Sequence, residues 1–165
     1  MPIILARIDD RLVHGQVVEG WLRVINAGFI VVVNDAVAGD EMQSALYSIS
    51  IPPGIKIECL TVRDAVKKFT CGYFEKEKVL VLFSNPSDVL ELIKGGARLD
   101  SVNVGGLHFS EGKQQIGKGL SVDEQDVTAL QEIAKAGVEL EGRVLPMDER
   151  LNVIELIAKH YKKEN

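Results

Sequence analysis

The segment Asp9-Asp10-Arg11-Leu12-Val13-His14-Gly15-Gln16 gathers the residue types needed to handle a phosphate-like anion. It follows an apolar strand pattern and runs into a helical one. A histidine just ahead of a helix meets unpaired backbone N–H groups and the positive end of the helix dipole. Gly15 lets backbone approach a ligand closely. Arg11, three residues before His14, brings a planar fork of donors to the same place. Such a loop is suited to an anion, phosphate above all, and it favours the neutral, nucleophilic ring at His14. A neutral imidazole can take a phosphoryl group from another phosphohistidine and pass it on through a labile P–N bond. Phosphoryl transfer depends mainly on positioning and charge stabilisation. Arg11 and the N–H groups of Gly15, Gln16 and Val17 are the candidates for both, with Asp9 or Asp10 orienting either Arg11 or the imidazole. The same spacing also suits a hydrogen-bonded spacer histidine and a surface Asp–Arg pair worth little energy.

The elements that must hold this loop follow from apolar periodicity. Ile3 to Ile8 reads as a strand, and Val17, Val18, Trp21, Leu22 and Ile25 keep helical spacing up to Gly28. Phe29 to Val33 and Val79 to Phe83 are unbroken apolar runs, expected of strands buried on both faces. Met42, Ala45, Leu46 and Ile49 mark a further helix, stopped by Pro52-Pro53-Gly54. Ile55 to Leu60 is a third strand. Thr61 and Ser87 are placed to cap the helices that follow the third and fourth strands. Asp100 to Val104 is a fifth strand, ending at Gly105-Gly106. Residues 107 to 120 suggest extended edge segments. Ser121-Val122-Asp123-Glu124 reads as a capping box, and Val138 to Val144 as a half-exposed strand before a last helix.

Alternating strands and helices predict one α/β domain over residues 1–165. It has a mostly parallel twisted sheet, helices on both faces, and a short antiparallel or edge portion in its C-terminal half. In such sheets ligands bind beyond the carboxyl ends of the strands, where strand order reverses. Strand 1 is expected to border that crevice, with the loop after strand 4 facing it. Ser84 and Asn85 would then close the far side of a phosphoryl group on His14. Asp35, after strand 2, would flank and orient the His loop. Leu12 and Val13 would lie exposed beside Arg11 as a docking surface.

Other functions fit less well. The 19 Lys and Arg against 24 Asp and Glu leave a net charge of −5, without the basic face that nucleic acid requires. Two cysteines without a CxxC spacing read as reduced thiols. Three histidines, 14, 108 and 160, are too few and too scattered to suggest a metal site. The start of the chain lacks the pattern of a secretory leader. The apolar runs fall far short of the ~18 residues that span a bilayer. A cytoplasmic protein is expected. Gly112 to Lys118 has the glycine–lysine spacing of a nucleotide loop, but Gly119 stands where a magnesium-binding hydroxyl belongs. His108 reads as a surface or packing residue, His160 as a partner of its helix's negative end, and Trp21 as core.

Arg7 to Val17 resembles the active-site loop of the IIB component of the mannose/fructose/sorbose family of the bacterial phosphoenolpyruvate:sugar phosphotransferase system (PTS). Asn34-Asp35, Pro52-Pro53-Gly54, Leu82 to Pro86, Ser101 to Gly106, Ser121 to Glu124 and Gly137 to Glu141 resemble that family in the same order. The resemblance implies a mostly parallel α/β fold and an enzyme of the phosphohistidine–sugar phosphotransferase type. It implies that His14 is phosphorylated on Nδ1 by a IIA protein, and that the group passes to a sugar carried by the membrane proteins IIC and IID. It matches Arg11 to a phosphate-contacting arginine. It implies neither metal nor cofactor, and some family members are homodimers. Membrane association would run through IIC and IID, which hold the sugar specificity. The same fold could also serve a phosphorylation-dependent regulator that binds a protein rather than feeding a transporter.

Overall fold

The computed structural model describes Pro2 to Lys163. Seven strands form one sheet in the order β3-β2-β4-β1-β5-β8-β9. They are β1 (Ile3–Asp9), β2 (Phe29–Val33), β3 (Lys56–Leu60), β4 (Val79–Phe83), β5 (Ser101–Gly106), β8 (Glu139–Gly142) and β9 (Leu151–Asn152). All neighbours run parallel except the β8–β9 pair. A small antiparallel pair, β6 (Gln114–Gly117) and β7 (Leu120–Val122), accounts for the polar, glycine-rich stretch.

Two apolar layers sandwich the sheet. One contains Ile8, Val31, Val81 and Phe83 beneath α4 (Val62–Thr70), α5 (Pro86–Lys94), α6 (Glu124–Lys135) and α7 (Val153–His160). The other contains Ile30, Val32, Leu80 and Leu82 beneath the helical stretch after β1, with α2 (Asp35–Ala38) and α3 (Glu41–Ser50) alongside. The two central strands β2 and β4 are buried along their whole length, as continuous apolar runs require.

Chain direction divides the sheet. From β1 and from β2 the chain moves toward β3 on the second face. From β4 and from β5 it moves toward β8 on the first. Connections therefore diverge at two places, between β1 and β5 and between β2 and β4. The expectation that β4 neighbours β1 holds, with Ile8 level with Phe83. The loop that meets the His loop is nevertheless the one after β5. The loop after β4 meets the one after β2.

Several caps differ from expectation. Thr61 does cap α4, accepting from the Asp64 N–H at 3.0 Å. The α5 cap is Asn85 rather than Ser87, because Pro86 takes the first helical position, where no N–H is needed. Asp123, not Ser121, caps α6, in a box completed by Asp126. Helix α3 forms where predicted, but Met42, Leu46 and Ile49 point outward and no residue of it is buried.

Candidate functional site

β1 ends with two buried charges. Arg7 and Asp9 are fully enclosed, and both point to the face carrying the helix after β1. The crossovers between the strands beyond β1 run on the opposite face, so among the described residues no helix covers this face of β5 and β8. A polar row fills it instead. Arg7 lies level with Asn103 on β5, and Asn103 level with Glu141 on β8. Arg7 Nη1 donates to Asn103 Oδ1 at 2.6 Å and to the Arg143 carbonyl at 3.1 Å. Asn103 Nδ2 donates to Glu141 Oε1 at 3.2 Å, and Arg143 grips the same carboxylate through Nε and Nη2, each at 2.8 Å. The Trp21 ring lies within 5.3 Å of the Arg7 guanidinium carbon and 5.1 Å of that of Arg143, and its Nε1 donates to the Val144 carbonyl at 3.0 Å. Two arginines and two carboxylates balance, as buried charges must.

Gly105 and Gly106 make room for this row. A Cβ on Gly105 would sit 1.9 Å from Arg7 Nη1, and one on Gly106 would sit 2.7 Å from Asp9 Oδ1. The glycine pair marks where two long polar side chains lie across a strand.

Asp9 converts this scaffold into a site. Its Oδ2 accepts from Arg7 Nη2 at 2.9 Å and pairs with His14 Nε2 at 2.7 Å, while its Oδ1 accepts the Arg11 backbone N–H at 3.1 Å. An ionised carboxylate only accepts, so the network assigns the proton to His14 Nε2. In the neutral ring Nδ1 then holds the free lone pair. The His14 side chain is 19% exposed.

Burial alone would raise the Asp9 carboxyl. Its hydrogen bond with His14, the Arg7 guanidinium and the Arg11 N–H outweigh that and hold it below its ordinary range. A carboxyl depressed in the folded state binds fewer protons there than in the unfolded chain. Its contribution to stability is complete above the unfolded value, near ~3.9, and is lost as pH falls through the lower folded value. Denaturant unfolding between about pH 2 and 5 should show stability falling more steeply with acid in the wild type than in Asp9→Asn. Equal slopes would remove Asp9 as the ionised anchor.

The other expected residues fall into two groups. Gly15 and Gln16 are exposed at the start of a π-helical turn, Gln16–Trp21, which runs on into α1 (Leu22–Ile25). The Arg11 side chain is exposed and makes no hydrogen bond or ion pair with another described residue. These three face outward with His14. The Val17 N–H does not, because it donates to the His14 carbonyl at 3.0 Å and Val17 is buried.

Asp10 orients neither Arg11 nor the imidazole. Its Oδ2 accepts the His108 backbone N–H at 2.7 Å, its Oδ1 pairs with His108 Nδ1, and its own N–H donates to the Gly106 carbonyl at 2.8 Å. His108, read as a surface or packing residue, is thus the clasp between the β1 and β5 loops. Ser84 lies at the same sheet end, but its hydroxyl accepts from Asn34 Nδ2 at 2.8 Å, across the β2–β4 divergence. Asn85 spends its amide on Asp88 and Ser84. Asp35 accepts from the Val62 N–H at 2.9 Å, tying α4 rather than the His loop. Leu12 and Val13 are buried in the second apolar layer, Leu12 with a left-handed φ of 55° that folds the loop back on itself. They form the loop's floor, not a docking surface. Sequence reasoning gave no role to Arg7, Asn103, Glu141 or Arg143. Their local signals are an arginine inside an apolar strand, Arg7, and the Gly105-Gly106 pair.

Two hollows of about 630 and 640 Å³ lie between α5 and α6 and between α4 and α5. Neither includes a residue of the His14 loop. Among the described residues no helix is long and apolar enough to cross a membrane, and no cluster of metal-ligating side chains occurs.

The fold is a doubly wound α/β domain whose first strand leads into a loop with a carboxylate-oriented imidazole at His14 and an exposed guanidinium at Arg11, three residues earlier in the chain. The family described as "PTS system sorbose subfamily IIB component" matches residues 3–165, and the chain belongs to that family. It is 39% identical to the sorbose-specific EIIB component of Lacticaseibacillus casei, over 99% of this chain and 100% of the relative. It is 41% identical to the mannose-specific EIIAB component of Escherichia coli K12 over 96% of this chain, and it spans about half (49%) of that longer relative. The crystal structure of the IIBSor domain of the Klebsiella pneumoniae sorbose permease superposes with a TM-score of 0.91 at 40% identity, covering 96% of this chain and 98% of that one.

Proposed function

We propose that residues 1–165 act as one IIB unit in which His14 Nδ1 accepts a phosphoryl group from the phosphohistidine of a IIA protein and delivers it to a sugar held by IIC and IID. The observation that carries this reading is the Asp9–His14 pair. By holding the proton on Nε2, Asp9 leaves Nδ1 as the nucleophile and sets the ring's orientation. In the transfer the Nδ1 lone pair forms the new P–N bond, and the donor's P–N bond breaks with its electron pair returning to the donor ring. The Nε2 proton stays on the Asp9 side, where the carboxylate stabilises positive charge on the phosphorylated ring. Asp9 is a positioning residue, anchored in turn by Arg7.

Arg11 and the N–H groups of Gly15 and Gln16 supply the phosphate contacts. Gly15 supports this role by having no steric reason of its own to be glycine. Its φ of −52° suits any residue, and a Cβ there would meet nothing within 4 Å. Glycine at a helix start in place of alanine is kept at a cost in conformational entropy, which close approach by an outside group explains. The protein works in the cytoplasm, at the membrane only through IIC and IID.

The test is to incubate the chain with phosphorylated IIA and map the modified residue by mass spectrometry under conditions that preserve P–N bonds. Label on His14 is expected, and label elsewhere would overturn the reading. Arg11→Lys keeps the charge and loses the planar fork. It should slow transfer about tenfold or more, from a loss of about 1.5–3 kcal/mol of charge-assisted hydrogen bonding, with unchanged circular dichroism. An unaltered rate would take Arg11 out of the site.

A further inference from the structure

We infer that Phe109 is an apolar anchor for the protein that donates the phosphoryl group, seated on the rim of the His14 site. This rests on the acceptor role of His14 proposed above. Phe109 is 70% exposed, and an aromatic ring in that state has a large apolar area to bury against a partner. Its backbone is nonetheless held on both sides. Just before it, His108 is clasped to Asp10 through both its N–H and its ring, and Leu107 pairs with Gly119 and Ser121 through bonds of 2.9 and 2.8 Å. Just after it, the Ser110 carbonyl accepts from the Lys113 N–H at 3.1 Å. The backbone that carries the ring is therefore held in place, so docking has to order only the side chain.

That position is fixed relative to the chemistry. Asp10, which holds His108, lies between Asp9, which holds His14, and Arg11. Transfer between two imidazoles requires both rings within the span of one phosphoryl group, so the donor must cover the rim around His14. The partner these features fit is a protein carrying an anionic phosphohistidine within an apolar surround. Arg11, whose guanidinium is otherwise unpaired among the described residues, meets the anion, and Phe109 meets the surround. Aromatic and arginine side chains of this kind dominate the energetics of protein interfaces. A second exposed apolar stripe, Met42, Leu46 and Ile49 on α3, projects from the β2–β3 side of the sheet and serves as the control.

The experiment compares two donors, phosphorylated IIA and a small phosphoramidate, on wild type, Phe109→Ala, Phe109→Asp and Ile49→Asp. Phe109→Ala should raise the KM for phosphorylated IIA about tenfold with kcat little changed, and Phe109→Asp should raise it further. Phosphoramidate rates should stay near wild type, because that donor needs no docking. Ile49→Asp should alter neither. An unchanged KM in both Phe109 variants overturns the inference. So does an equal loss with both donors, or a KM effect from Ile49→Asp alone. If the wild type takes no phosphate on His14 from either donor, the acceptor reading fails instead, and the docking inference falls with it.

Discussion

His14→Gln takes up no phosphoryl group from phosphorylated IIA, while His108→Ala and His160→Ala retain acceptance. The glutamine amide keeps an N–H donor for Asp9, so the buried carboxylate does not lose its third partner and the fold should stand. What disappears is the nitrogen lone pair on the outward side of the ring. No other described side chain replaces it. The His108 ring nitrogen nearest the loop is engaged by Asp10. His160 lies exposed at the end of α7, in an element that closes the opposite layer. Acceptance should fall to background in His14→Gln, read as acid-labile radioactive phosphate or as a mass shift, with wild-type circular dichroism. His108→Ala loosens the clasp between the β1 and β5 loops, so a slower rate with the same end point is expected there. Stable label in the His14→Gln chain would mean that another residue is the acceptor and that the Asp9–His14 pair is only structural.

The strand–helix alternation and the phosphate-handling loop were legible because both are local. Unbroken runs such as Phe29 to Val33 and Val79 to Phe83 announce strands buried on both faces, and both are. Local rules failed where two of them competed. Ser87 has the chemistry of a cap, but Pro86 must stand at the first helical turn, which moves the cap to Asn85. Periodicity found α3 correctly and its orientation wrongly. An apolar stripe specifies a helix, but not that the sheet lies under the stripe, and here Met42, Leu46 and Ile49 face outward. Leu12 and Val13 erred in the opposite sense. A left-handed turn at Leu12 carries them under the loop, and no residue type foretells that conformation at a leucine. The least legible part was the site's foundation. Arg7 reaches Asn103 across 96 residues, and Asn103 reaches Glu141 across 38. Such a row exists only once strands β1, β5 and β8 are in register. An arginine inside an apolar strand and a glycine pair ending another are its traces in the sequence, and neither names the other as partner.

That foundation makes the second large prediction a steric one. Gly105→Ala should cost about 3 kcal/mol or more, although it adds a single methyl group. The new Cβ would fall 1.9 Å from Arg7 Nη1 and 2.2 Å from Cζ, so the guanidinium must leave its place. It then gives up Asn103, the Arg143 carbonyl and Asp9 together. Asp9 is left buried with its charge uncompensated, and breaking a buried pair in this way costs about 3–5 kcal/mol. For a chain of this size, each kcal/mol lowers the melting temperature by about 2–4 °C, so a fall on the order of 10 °C is expected. Phosphoryl acceptance should weaken as well, because His14 takes its orientation from Asp9. The cause can be isolated by a double-mutant cycle with Arg7→Met. That variant alone incurs the loss of the pair, and its flexible side chain leaves space beside β5. Adding Gly105→Ala to it should cost less than about 1 kcal/mol more, giving a coupling of about 2 kcal/mol or greater between the two positions. Additive costs would show that Gly105 is required by its own backbone and not by the arginine lying across it.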